Sequence, residues 1–173
     1  MKVLIVVDMQ NDFIDGSLGT KEAVGIVERV AEVMDAFDGA VICTRDTHFA
    51  GYLETSEGRK LPVEHCIEGT NGHTLQEKIQ KMAEKKQAVV MNKITFGAKN
   101  LPEEIEKLAG GVPESIELVG LCTDICVISN AMLLKAFLPE VPIMVDSLCC
   151  AGVTPESHER ALEAMKACQI EVL

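Results

Sequence analysis

Val3-Leu4-Ile5-Val6-Val7-Asp8 is an unbroken aliphatic run ended by a carboxylate. A strand with one wet face would alternate apolar and polar residues. An unbroken Val/Leu/Ile run reads instead as a strand buried on both faces, the pattern of a parallel sheet. Working outward, similar runs recur at Ala40–Thr44, Ala88–Asn92, Ile116–Gly120, Ile143–Asp146 and Ile170–Leu173. The stretches between them predict helices over Thr20–Phe37, Thr74–Glu84, Pro102–Ala109, Cys126–Phe137 and Pro155–Ala167. Thr20 ahead of Ala23-Val24 and Ile26-Val27 reads as a capped start with apolar residues at helical spacing. Thr154-Pro155-Glu156 supplies a cap, a first-turn proline and an acid near the positive helix end. Strands alternating with helices predict a three-layer α/β/α fold, a six-stranded, mostly parallel sheet flanked by helices on both faces.

Composition narrows the function classes. The chain has 173 residues, and with 16 Lys+Arg against 27 Asp+Glu its formal net charge is -11. That length suits a single domain over 1–173, since domains run to roughly 100–200 residues. The acidic balance excludes a nucleic-acid binder, which needs clustered Lys and Arg against phosphate. Hydrophobic residues at 47% exclude a disordered chain. The first apolar run is too short for a signal h-region or a membrane span, so no membrane partner is expected. The seven cysteines, an odd number, then point to free thiols in a reducing cytoplasm.

In open parallel sheets ligands bind beyond the carboxyl ends of the strands, near the point where the winding direction reverses. The residues after each run therefore matter most. Asp8-Met9-Gln10-Asn11-Asp12-Phe13 follows the first and Arg45-Asp46-Thr47-His48 the second. Lys93 follows the third and Leu121-Cys122-Thr123-Asp124-Ile125-Cys126 the fourth. Cys126 opens a helix, where backbone N–H groups and the dipole favour a thiolate; as a bland alternative it is a small buried residue. Asp8 could take a thiol proton, or simply cap its loop. Lys93 could stabilise both charges, or be an exposed strand-end lysine. The other cysteines read as core residues. The aperiodic stretch from about Asp46 to Gly72 holds His48 and His65, with His73 just beyond. Asp46, His48 and His65 suit a catalytic metal site with open positions, or a polar loop with solvated histidines. Spacing alone leaves zinc, iron and manganese open. His73 reads as a helix-start residue and His158 as part of an exposed turn.

These stretches together resemble the isochorismatase-like cysteine hydrolases, and within them the nicotinamidase/pyrazinamidase branch. The resemblance spans essentially the whole chain. It is carried by Asp8–Phe13, by Thr44-Arg45-Asp46-Thr47-His48, by His65-Cys66-Ile67-Glu68-Gly69-Thr70, by Lys93 with Phe96, and by Gly120–Val127, the most specific match. Asp146-Ser147 and Gly152-Val153-Thr154-Pro155 fit the family's C-terminal end.

The resemblance implies a Rossmann-like fold and an amidase that converts nicotinamide, or a closely related aromatic carboxamide, to the acid and ammonia through a thioester. Asp8 would be the base, Cys126 the nucleophile and Lys93 the stabilising cation. The backbone N–H groups of Cys122 and Cys126 would hold the oxyanion, with a cis peptide at Leu121–Cys122. Asp46, His48 and His65 would bind one divalent metal, zinc first, with Fe2+ or Mn2+ as alternatives. Phe13, Leu121 and Phe96 would line the substrate pocket. One departure is plain: three residues before His65, where the relatives usually carry an aromatic, stands Pro62.

Isochorismatase proper lacks the cysteine nucleophile, so Cys126 argues against it. Carbamoylsarcosine and ureidoacrylate amidohydrolases keep the Asp/Lys/Cys set but generally lack the metal cluster. A non-catalytic metal-binding or redox module would not need Asp8 and Lys93 beside Cys126. The sequence leaves homo-oligomerisation open.

Overall fold

A computed structural model describes all residues, Met1–Leu173. Its centre is a six-stranded parallel sheet in the order β3-β2-β1-β4-β5-β6. The strands are β1 (Lys2–Val7), β2 (Ala40–Asp46), β3 (Val89–Lys93), β4 (Ser115–Leu121), β5 (Ile143–Ala151) and β6 (Glu171–Val172). The helices are α1 (Asn11–Ile14), α2 (Lys21–Ala36), α3 (Glu77–Lys85), α4 (Leu101–Ala109), α5 (Ile128–Phe137) and α6 (Pro155–Ala167). No helix is long and apolar enough to cross a membrane.

The opening run explains the layers. Val3, Ile5 and Val7 point to one face, where they join Ile116, Leu118, Leu101, Ile105, Leu134 and Met165 in one core. Leu4 and Val6 point to the other, with Val41, Cys43, Ile26, Val30 and Ile79. Because side chains alternate across a strand, a run without polar residues feeds both cores at once. Thr20 accepts the Ala23 N–H at 3.0 Å and Thr154 accepts the Ser157 N–H at 3.1 Å, so both caps stand as read.

The winding reverses between β1 and β4, which are neighbours at the centre of the sheet. Here β4 comes so close to β1 that a Cβ on Gly120 (φ 112°) would stand 2.2 Å from the Val7 carbonyl oxygen. Only glycine fits this conformation and this contact. The following peptide, Leu121–Cys122, is cis.

Several boundaries differ from the sequence expectations. The short α1 has too few residues to show a helical period. The helix expected from Thr74 begins at Glu77, because Leu75 forms an antiparallel bridge with Gln10. β5 runs on to Ala151 through a register shift opposite Leu118 and Gly120. Residues Thr123–Val127 form a single π-turn ahead of α5, so Cys126 sits in a widened turn rather than in a regular first helical turn. Such turns recur at functional sites. Cys168, expected in the core, is exposed at the C-cap of α6, since the chain turns there before Ile170 is buried.

Candidate active site

The C-terminal ends of β1 to β4 deliver Asp8, Asp46, Lys93 and Cys126 to one buried point. Lys93 lies between the others. Its amine is 2.7 Å from Asp8 Oδ2, 3.1 Å from Asp46 Oδ1 and 3.4 Å from Cys126 Sγ. The bland reading of an exposed strand-end lysine is excluded, because Lys93 is buried. Thr44 Oγ1 donates to Asp8 Oδ1 at 2.7 Å, which leaves Oδ2 with the lysine and no other partner. Asp8 itself has φ 47°, turning the chain back so that the Gln10 N–H reaches the Asp8 carbonyl at 2.7 Å.

Charge states follow from this geometry. Burial raises the Asp8 pKa, against the opposing pull of Lys93. Burial disfavours the Lys93 ammonium, yet Asp8, Cys126 and Asp46 outweigh it and hold the amine above its ordinary range. Burial first, then the Asp8 charge, pushes the Cys126 thiol well up, with Lys93 opposing. This corrects the expectation of a resting thiolate: the helix-end argument assumed solvent, whereas Cys126 is enclosed beside a carboxylate. Moving the proton from Cys126 to Asp8 leaves the net charge beside Lys93 unchanged, so burial does not oppose that exchange.

Beyond Asp46 lies a second cluster. The donor atoms of Asp46, His48, Glu57 and His65 all lie within 4.8 Å of one another. Asp46 Oδ2 is 3.0 Å from His48 Nε2 and 3.7 Å from His65 Nε2; Glu57 Oε1 is 3.6 Å and 3.7 Å from the same nitrogens. Two ligand atoms each about 2.1 Å from one metal ion stand about 3–4 Å apart. The residues therefore fit a divalent ion. The fit extends outward, because His65 Nδ1 faces the Val63 carbonyl at 2.8 Å and its N–H there leaves Nε2 as a lone-pair donor.

Glu57 was not singled out from the sequence. It lies in the aperiodic loop, next to a 3-10 turn at Tyr52–Glu54, and no spacing rule ties it to Asp46. His73 was undervalued too. It is buried and shares a 2.8 Å hydrogen bond with Thr47 Oγ1. Gln10 donates to the Asp46 and His73 carbonyls at 2.8 and 2.9 Å and accepts the Asp46 N–H at 2.7 Å, clamping the Asp46–His48 segment. Asp12 Oδ2 accepts the Cys66 N–H at 2.7 Å, which fixes the residue after His65. His158 is half-buried and bonds Thr123 Oγ1 at 2.8 Å, tying α6 to the turn that carries Cys126.

Both clusters open on one cavity of about 600 Å³. Phe13, Leu121, Cys122 and Cys126 line it, with Asp46, Glu57 and His65 on one side and Phe96 toward the surface. All three residues expected to line a pocket are in its wall. Residues 2–173 match the isochorismatase domain family.

The chain belongs to the isochorismatase family.

Within that family the chain is 28% identical to the nicotinamidase/pyrazinamidase of Mycobacterium tuberculosis, covering 100% of this chain and 98% of that one. It is similar to the crystal structure of the pyrazinamidase of Pyrococcus horikoshii in complex with zinc, at 28% identity and TM-score 0.78, covering 99% and 98% of the two chains. It is also similar to the N-carbamoylsarcosine amidase of Thermoplasma acidophilum, at 26% identity and TM-score 0.79, covering 99% and 94%. The family match thus leaves the choice of substrate to the side chains.

Proposed function

We propose that this isochorismatase-family protein is a cysteine amidohydrolase that converts nicotinamide and water to nicotinate and ammonia. The observation that carries the reading is Lys93, which contacts both Asp8 and Cys126 and shares Asp46 with the imidazole cluster.

Each residue then has a part in a balanced sequence. Asp8 takes the Cys126 proton through Oδ2, whose one neighbour is the Lys93 amine, and Lys93 stays paired with whichever group holds the negative charge. The thiolate attacks the carboxamide carbon. Backbone N–H groups of Cys122 and Cys126 hold the oxyanion, a kind of stabilisation worth about 3–4 kcal/mol per donor. The Asp8 proton passes to the leaving nitrogen, ammonia departs and a thioester remains. Asp8 next deprotonates a water, hydroxide adds to the thioester carbon, and collapse returns the thiol and releases nicotinate.

Asp46, His48, Glu57 and His65 would hold the metal, with zinc as the proposed ion. A divalent ion there supplies a Lewis acid for the lone pair of the pyridine nitrogen, which orients the ring with its amide toward Cys126. The chemistry needs Cys126 reduced; all seven cysteines are free, in keeping with the proposed cytoplasmic location.

N-carbamoylsarcosine is the competing substrate class, and it carries a carboxylate. The cavity's basic residues are His65, committed to the acidic cluster, and Lys60, exposed at the rim. Lys93 is committed to Asp8 and Asp46. A neutral aromatic carboxamide therefore matches the lining better than an anion does. Ammonia release from nicotinamide and from N-carbamoylsarcosine, measured side by side on zinc-loaded protein, tests this. Turnover of nicotinamide alone supports the assignment; turnover of N-carbamoylsarcosine alone overturns it.

A further inference from the structure

The cavity is larger than a monocyclic carboxamide requires. Its buried part is formed by Phe13, Asp46, His65, Leu121 and Cys126. It then continues to the surface along Leu18, Leu61, Ile94, Phe96, Ile125 and Val153. At about 600 Å³ it lies well inside the roughly 300–1,000 Å³ range that takes drug-sized ligands. Ile94 is 64% exposed and Val153 50%. Single exposed aliphatic residues are ordinary, but these share one cavity with the nucleophile.

The wall near the imidazoles carries few aromatic side chains. Pro62 stands where an aromatic was expected, and the neighbouring Leu61 lines the cavity instead. Tyr52 does not fill the gap. It packs against His48 and His65 at ring distances of 4.6 and 5.0 Å, is 1% exposed, and is absent from the lining. The remaining aromatic walls are Phe13 and Phe96.

Substrate chemistry gives the direction. With the amide carbon at Cys126 and the ring nitrogen toward Asp46 and His65, ring carbon C2 lies between the two anchors. C5 is diametrically opposite and faces away from both. We infer that the outer cavity is a subsite for an apolar substituent at C5, so that 5-alkyl nicotinamides are better substrates than nicotinamide itself. This rests on the amidase reading above for the ring's orientation. The lining there is mostly apolar, with Lys60 and Thr95 among its polar members, and the substituent leaves water on entering it. Each buried methylene should therefore raise affinity about fourfold.

Calorimetry on zinc-loaded Cys126→Ala protein, with nicotinamide and its 5-methyl, 5-ethyl and 5-propyl derivatives, reads binding without turnover. Kd should fall about fourfold for each added methylene, and wild-type kcat/KM should rise in parallel. The double variant Ile94→Asn, Val153→Asn should flatten that series. A Kd that stays level or rises with chain length overturns the subsite, as does a slope unchanged in the double variant. Hydrolysis of nicotinamide with a flat series removes the subsite and leaves the amidase reading intact. Tightening binding without ammonia release from any member overturns the amidase reading, and with it the claim that these compounds are substrates, and leaves only an apolar binding subsite. No binding of any member overturns both.

Discussion

The Asp46 carboxylate is 3.1 Å from the Lys93 amine through Oδ1, while its other oxygen faces His48 Nε2 at 3.0 Å. One buried side chain thus belongs both to the Asp8–Lys93–Cys126 group and to the imidazole cluster. Its neighbour Glu57 belongs to the cluster alone.

That asymmetry separates two substitutions. Glu57→Gln should weaken zinc affinity by at least the about 10–100-fold that loss of an outer partner costs, and excess zinc should restore turnover. Asp46→Asn should lose turnover by about 100-fold or more even when zinc is saturating, because Lys93 is misplaced as well. Zinc titration followed by kcat at saturation checks both. Full rescue of Asp46→Asn by zinc would show that its contact with Lys93 is dispensable.

Cys126 should be a slow thiol at neutral pH. Burial and the Asp8 charge raise its pKa, so its thiolate fraction at pH 7 is lower than that of a free thiol near 8.5. Its alkylation rate should keep rising above that value, while the exposed Cys168 is labelled early. In Asp8→Asn the neighbouring negative charge is gone, so the Cys126 profile should move to lower pH even though amidase activity falls. Peptide mapping of iodoacetamide labelling against pH measures this. A wild-type Cys126 rate that levels off by pH 7 contradicts it.

Gly120→Ala tests the strand junction beneath the nucleophile turn. The added Cβ would meet the Val7 carbonyl oxygen at 2.2 Å, at a φ of 112° that disfavours any side chain. A cost of about 1–3 kcal/mol for the conformation alone is expected. At about 2–4 °C per kcal/mol for a chain of this size, Tm should fall by several degrees or more. An unchanged Tm in thermal unfolding would mean that β1 and β4 separate freely.

Much of this was legible before the structure. Val3–Val7 showed two-sided burial because side-chain alternation is local, and strand ends then pointed to Asp8, Asp46, Lys93 and Cys126. The remainder depends on how distant segments close. Glu57 reaches the imidazoles only because the loop folds back through Tyr52–Glu54, and no periodicity records that path. The burial of His73 depends on Gln10 and Thr47, which come from other segments. The direction of the Cys126 pKa was misread for the same reason. A helix end was visible in sequence, but the enclosure that outweighs it was not.

The central claim is that Cys126 is the nucleophile of a nicotinamidase. Its most direct measurement is ammonia release from nicotinamide by zinc-loaded wild-type and Cys126→Ala proteins, with zinc content and Tm confirmed equal. Loss of detectable turnover in the variant is the predicted result; Cys126→Ala turning over nicotinamide at the wild-type rate would contradict it.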